Sequence, residues 1–121
     1  MCTLVALHQA IPGVPLVVAA NRDEFYERRA EAPALRETPG GVAVVAPRDA
    51  RGGGTWLGLN AAGLFAAVTN VACSAPHPDR PSRGLLVLEA LEAPSAREAS
   101  ERALAAPRGT YNPFNLFVGD A

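Results

Sequence analysis

Apolar positions in this chain fall into short runs separated by Gly, Pro and Asn, the signature of strands joined by tight turns. Residues 3–7 (Thr-Leu-Val-Ala-Leu) predict a mostly buried strand whose alternation places Cys2, Leu4, Ala6 and His8 on one face. Ile11-Pro12-Gly13 is a turn signal. Residues 16–20 are unbroken apolar and predict a second strand, covered on both faces. The polar block 21–29 ends that run, and Pro33 and Pro39-Gly40-Gly41 predict irregular chain up to a third strand at 42–46. A charged and then glycine-rich stretch, 48–54, leads to a hairpin: strand 57–59, turn 60–63, return strand 64–69. Residues 71–81 read as a loop.

The last third changes period. Leu85, Leu88 and Leu91 at three-residue spacing predict a helix over 83–91. Ser95-Ala96-Arg97-Glu98 predicts a capping box, its hydroxyl and carboxylate each satisfying an exposed N–H, at the start of a second helix that Pro107 stops. Residues 114–118 predict a final strand. Strands, then helices, then one strand more is an α+β layout. A closing strand with no successor suggests the N-terminal part of a longer domain.

Composition narrows the function classes. At 121 residues the chain is at most one domain. No apolar run approaches the roughly 18 residues of a membrane span, and the basic, apolar leader of a secreted protein is missing, so cytoplasmic residence is the expectation. The 11 cationic residues are all Arg, set against 12 acids for a net charge of −1. That balance argues against a nucleic-acid partner, which requires clustered positive charge. The absence of Lys reads as genomic bias. Two Cys make no disulfide framework.

The candidate chemistry starts at Cys2. A Cys in a strand is more often packing than nucleophile. Removal of Met1, however, would give one residue both a thiol and a free α-amine. With reference pKa values of about 8.5 and about 7.7–8.0, the amine can take the thiol proton near neutral pH. The hairpin returns Asn21-Arg22-Asp23-Glu24 to the level of that Cys. These residues suit a solvated strand end, yet Asp23 can also hold an α-ammonium, and Arg22 can steady a thiolate or bind a carboxylate. Asn70, ending another apolar strand, either starts a loop or donates to an oxyanion. Asn21, Arg22, Glu24 and Trp56 are the candidate substrate-binding residues, although Trp56 also suits a core. Gly52-Gly53-Gly54 fits a tight turn better than a phosphate loop. Cys73-Ser-Ala-Pro-His77, with Cys2 and His8, supplies borderline ligands for zinc or haem, but the spacing matches no familiar zinc module. No metal is assigned.

Taken together, Met1-Cys2-Thr3-Leu4, Ala20-Asn21-Arg22-Asp23-Glu24-Phe25, Arg48-Asp49, Gly53-Gly54-Thr55-Trp56-Leu57-Gly58, Thr69-Asn70, Ser82-Arg83-Gly84-Leu85-Leu86 and Phe114-Asn115-Leu116-Phe117-Val118-Gly119-Asp120 resemble the NRDE family, also called the transport and Golgi organisation 2 family. The resemblance implies an N-terminal-nucleophile-like αββα sandwich related to cysteine hydrolases that cleave linear amides. It implies Cys2 as nucleophile, Asp23 as holder of its amine and Asn70 as oxyanion donor. In those hydrolases the neighbouring Arg stands three residues before the Asp, where this chain has Ala20, so Arg22 departs from the pattern. The family looks about twice this length. The chain is then expected to supply one sheet, its helices and the first strand of a second sheet, leaving an apolar sheet face through which it would self-associate. The alternative is a non-catalytic carrier or trafficking factor holding haem or acyl-CoA. No cofactor is required for the hydrolase.

Overall fold

The computed structural model describes residues 2–121. Strands β1 (Thr3–Ile11) and β2 (Val14–Asn21) form an antiparallel hairpin around Pro12-Gly13. Pro12 occupies the first turn position, and Gly13, at φ +77°, supplies the left-handed second one. Pairing runs from Thr3↔Asn21 to His8↔Leu16, then slips at Gln9, whose φ is +52°. The predicted alternation is present, with Cys2, Leu4 and Ala6 half-buried and Thr3, Val5 and Leu7 facing solvent. His8 lies past the covered part and is exposed. Coverage of β2 on both faces is not found: only Leu16, Val17 and Val18 are half-buried, because the hairpin is a separate two-stranded sheet with no layer on its outer side among the described residues.

The main sheet is antiparallel throughout, in the order β3 (Ala30–Glu37), β4 (Ala43–Asp49), β5 (Leu57–Asn60), β6 (Phe65–Asn70), β7 (Phe114–Gly119). Strand β3 corrects the expectation of irregular chain there. Pro33 sits in the register slip between Glu31 and Ala34 on an edge strand, where its missing N–H interrupts no regular ladder. Strand β7, expected to open a second sheet, is instead the far edge of this one, paired to β6 from Phe65↔Gly119 to Asn70↔Phe114.

Helices α1 (Arg83–Ala90) and α2 (Ala96–Ala105) cover one face, burying Val44, Ala46, Ala66 and Val68 against Val87, Leu91 and Ala99. The expected stripe of Leu85, Leu88 and Leu91 is rotated: Leu86, Val87, Ala90 and Leu91 are buried, and Leu85 and Leu88 only half so. Gly84 is the cause. A Cβ on Gly84 would lie 2.9 Å from the Thr55 nitrogen, and one on Gly54 2.3 Å from the Gly84 carbonyl carbon. The two backbones touch, with Thr55 N–H donating to Gly84 O at 3.2 Å. Once Gly84 faces the sheet, Val87 and Leu91 share its side of the helix. Leu91 then drops onto Gly58, where an added Cβ would sit 2.7 Å from Leu91 Cδ1.

Two polar groups lock this layer. Asn60 is buried and fully bonded: Nδ2 donates to Leu91 O at 2.9 Å and Ala93 O at 3.0 Å, and Oδ1 accepts from Ala62 N and Leu64 N, each at 3.0 Å. The capping box of α2 is half realised. Ser95 Oγ accepts from Glu98 N at 3.3 Å, but the Glu98 carboxylate takes Arg102, and Asp120 accepts the Ala96 N–H at 2.6 Å. On the opposite face, Leu35, Val45 and Leu59 stand in one cross-strand row and are 77%, 49% and 45% exposed, an apolar strip without a covering layer among the described residues. No helix among these residues is long and apolar enough to cross a membrane.

Contact at Gly84 sets a stability contrast. Gly84→Ala is expected to cost about 2–4 kcal/mol, since rigid backbone must move. Gly53→Ala, at φ +73° with nothing within 4 Å, should cost only about 1–2 kcal/mol. Urea unfolding with a common m-value reads both.

Candidate functional site

The site forms where the end of the hairpin meets the turn between β4 and β5, and Asp49 organises that meeting. Its Oδ1 accepts from Arg51 N at 3.0 Å and Gly52 N at 3.2 Å, closing the turn. The backbone completes it, Gly53 N bonding Asp49 O at 2.9 Å and Asp49 N bonding Gly54 O at 2.8 Å. The other carboxylate oxygen accepts from Arg28 Nε at 3.0 Å and Nη2 at 2.6 Å, a two-pronged guanidinium contact. Arg28 also donates to Glu24 Oε2 at 3.1 Å. Asp49 is 7% exposed, so this charge is largely taken from water and must be matched. Burial pushes its carboxyl pKa up, but the Arg28 hydrogen bond, the Gly52 and Arg51 N–H groups and the Arg28 charge together outweigh that and hold it below its ordinary value. The same partnership raises Arg28, chiefly through its hydrogen bond to Asp49.

Around this core lies a cavity of about 590 Å³. Among the sequence-nominated residues, Cys2, Arg22, Glu24, Trp56 and Asn70 line it. Cys2 is a free, half-buried thiol whose Sγ lies 3.9 Å from Asp23 O, to which it donates. Asn70 is the last residue of β6, opposite Phe114, and exposed. Arg22 stacks over Trp56, 4.6 Å from the ring centroid, donates to Arg28 O at 3.3 Å and reaches to 3.7 Å of Asp49. Trp56 both lines the cavity and packs against the core. Asn21 Oδ1 accepts the Thr3 N–H at 2.9 Å, tying off the hairpin. The expected grip of Asp23 on an α-amine, like the fate of Met1, falls outside the described residues.

Sequence reasoning gave no role to Arg28, Asp49, Arg80, Arg83 or Asn112, which also line the cavity. Asp49 carried a usable signal, an acid opening a glycine-rich turn. Arg83 lay within the Ser82-Arg83-Gly84 motif, whereas Arg28 and Arg80 carried no signal, since their convergence depends on segments distant in sequence. One of those segments is pinned by Asn112, which accepts from His77 N and donates to His77 O, both at 2.9 Å. Cys73 is exposed, and among the described residues no three His, Cys, Asp or Glu side chains converge as metal ligands.

The family model described as Transport and Golgi organisation 2 matches residues 1–121. The Bos taurus Transport and Golgi organization protein 2 homolog is 34% identical over 109 residues, which is 87% of this chain and 38% of the relative. The Mus musculus Transport and Golgi organization 2 homolog is 31% identical with the same coverage. The chain thus spans 38% of the length of the curated relatives it matches.

The Asp49 network sets an acid limit. Its lowered folded-state pKa means the carboxylate stabilises the fold above the unfolded value near 3.8, and that contribution is lost as pH falls through the folded value below it. Asp49→Asn should cost about 2–4 kcal/mol at pH 7 and flatten the acid limb of a stability-versus-pH profile, read by urea midpoints from pH 2 upward.

Proposed function

The chain belongs to the transport and Golgi organisation 2 family, and from that premise we propose that the cavity around Cys2 is an N-terminal-nucleophile site acting on linear C–N amide bonds. The observation that carries the reading is a free thiol, unsealed by hydrocarbon, at the wall of a polar cavity shared with Asn70.

In the proposed reaction Met1 has been removed, and the α-amine of Cys2 takes the thiol proton. The thiolate attacks the amide carbonyl, and the side-chain N–H₂ of Asn70 donates to the oxyanion. Collapse breaks the C–N bond as the ammonium returns its proton to the leaving amine. A thioester remains, and water activated by the same amine hydrolyses it to a carboxylic acid and free thiol. Asp23 holds the amine through these transfers. Arg22, Glu24 and Trp56 shape the substrate-binding wall, and Asn21 supports it by fixing the hairpin end.

In this reading the 121 residues would supply the N-terminal portion of a single NRDE-type domain of αββα architecture, in keeping with their 38% coverage of the relatives. The bare row of Leu35, Val45 and Leu59 supports this, since a second sheet packed there would complete the sandwich. The same row would drive self-association of the chain on its own. One observation favours a second reading, a non-catalytic carrier for haem or acyl-CoA in the cytoplasm. Arg22, the cation that the hairpin returns to the level of the thiol, is engaged by Trp56, Arg28 O and Asp49, so its charge is committed to those partners.

Turnover decides between them. With a panel of acyl amides, Cys2→Ala is expected to lower kcat/KM by at least about a thousandfold without lowering the unfolding midpoint. An intact-mass measurement of the natural protein should show Met1 absent. Unchanged turnover in Cys2→Ala, or a retained Met1, defeats the hydrolase and leaves the carrier.

A further inference from the structure

The charge of the cavity is lopsided in a way that amide hydrolysis does not use. Its walls carry Arg22, Arg28, Arg51, Arg80 and Arg83 against only Glu24 and Asp49. Arg22 and Arg28 lie within ion-pair reach of those two acids. Arg80 and Arg83 have no carboxylate within that reach among the described residues. Each is instead anchored to a backbone carbonyl: Arg80 Nη1 donates to Tyr111 O at 3.3 Å, and Arg83 Nη1 to Pro113 O at 2.8 Å. A carbonyl orients a guanidinium without cancelling its charge, leaving the other N–H donors available. The anchoring segment is itself held, because Asn112, between the two acceptors, clamps the loop at His77 that leads to Arg80.

Both arginines are half-buried and flank Ser82, the N-cap of α1. Burial, partly countered by the nearby Cys73, lowers the pKa of Arg83 from its ordinary value, as expected for a cation held without a paired acid. The whole chain is slightly acidic at −1, so this cationic wall is segregated rather than a sample of the general surface.

We infer that Arg80 and Arg83 form an oxyanion-binding wall of the Cys2 cavity, selecting ligands that carry a carboxylate or phosphate monoester beside the acyl group. Planar guanidinium forks bind either group through paired charge-assisted hydrogen bonds. The assignment rests on the reading of the cavity as a ligand site, and it adds the class of ligand that site prefers.

Calorimetric titration of the intact protein tests it with N-octanoylglycine, N-octanoyl-O-phosphoethanolamine and the uncharged N-octanoylglycinamide. Titrations on a Cys2→Ala background prevent turnover from intruding. At least one anion is expected to bind about tenfold or more tightly than the neutral amide, and the stronger of the two identifies the preferred group. Arg80→Gln/Arg83→Gln should reduce that anion to the affinity of the neutral ligand, with neutral binding and circular dichroism unchanged. Arg80→Lys/Arg83→Lys should restore part of the preference. Equal binding of charged and neutral ligands, no binding of any of the three, or a preference that survives the double Gln change overturns the inference. Catalytic inactivity of the wild-type protein with this preference intact would sink the hydrolase alone.

Discussion

One carboxylate holds the candidate site together. Asp49 closes the glycine-rich turn with one oxygen and grips the Arg28 guanidinium with the other, so a single buried side chain joins the loop after β2 to the main sheet. An isolated two-stranded hairpin is marginal in water, and β1–β2 is largely exposed here. Its position relative to the sheet therefore depends on a few long-range ties. The Asp49–Arg28 contact is one of them, with Arg22 stacked on Trp56 and Leu16 packed toward Gly119. Cys2 sits on that hairpin, so the location of the thiol depends on an ion pair that lies some distance from it in sequence.

The second constraint is steric. Gly54, Gly58 and Gly84 each stand where a Cβ would strike a neighbour closer than 3 Å. Their absent side chains bring α1 down onto the sheet, so that Leu91 caps Gly58 and Asn60 reaches the carbonyls of Leu91 and Ala93. The same approach places Ser82 and Arg83, at the head of α1, in the cavity wall. Packing of the core and construction of the site are thus one event.

Local pattern made most of the element order legible. The hairpin at Pro12-Gly13, the β5–β6 turn at Asn60 and the cap at Ser95 all depend on residues a few positions apart, and each is present. Strand β3 was hidden because Pro33 argues against a strand unless the strand is known to be an edge, which is a tertiary fact. The face of α1 was misjudged for a like reason: three leucines outvoted a glycine whose contact with Thr55 spans distant chain. Of the nominated residues, Cys2, Arg22, Glu24, Trp56 and Asn70 do share one cavity, brought there by strand ends that a hairpin pattern can reveal. Asp49 and the arginines of the later loops were not nominated, because their roles arise from partners supplied by other segments.

The distribution of charge then constrains what the cavity can hold. Had the arginines all been paired as Arg28 is, the walls would be neutral and an uncharged acyl chain would meet only desolvated ion pairs, which favour nothing in particular. Pairing is instead divided. The inner arginines, Arg22 and Arg28, are matched by Asp49 and Glu24 and serve to join the hairpin to the sheet. Arg80 and Arg83 are fixed by carbonyls and left positive. A fold that needed Arg83 only as a strut would gain from an acid beside it, since burial of this cation carries a desolvation cost that a carbonyl offsets incompletely. Among the described residues neither Arg80 nor Arg83 has a carboxylate within ion-pair reach, and the anionic ligand proposed for the Cys2 cavity would supply one.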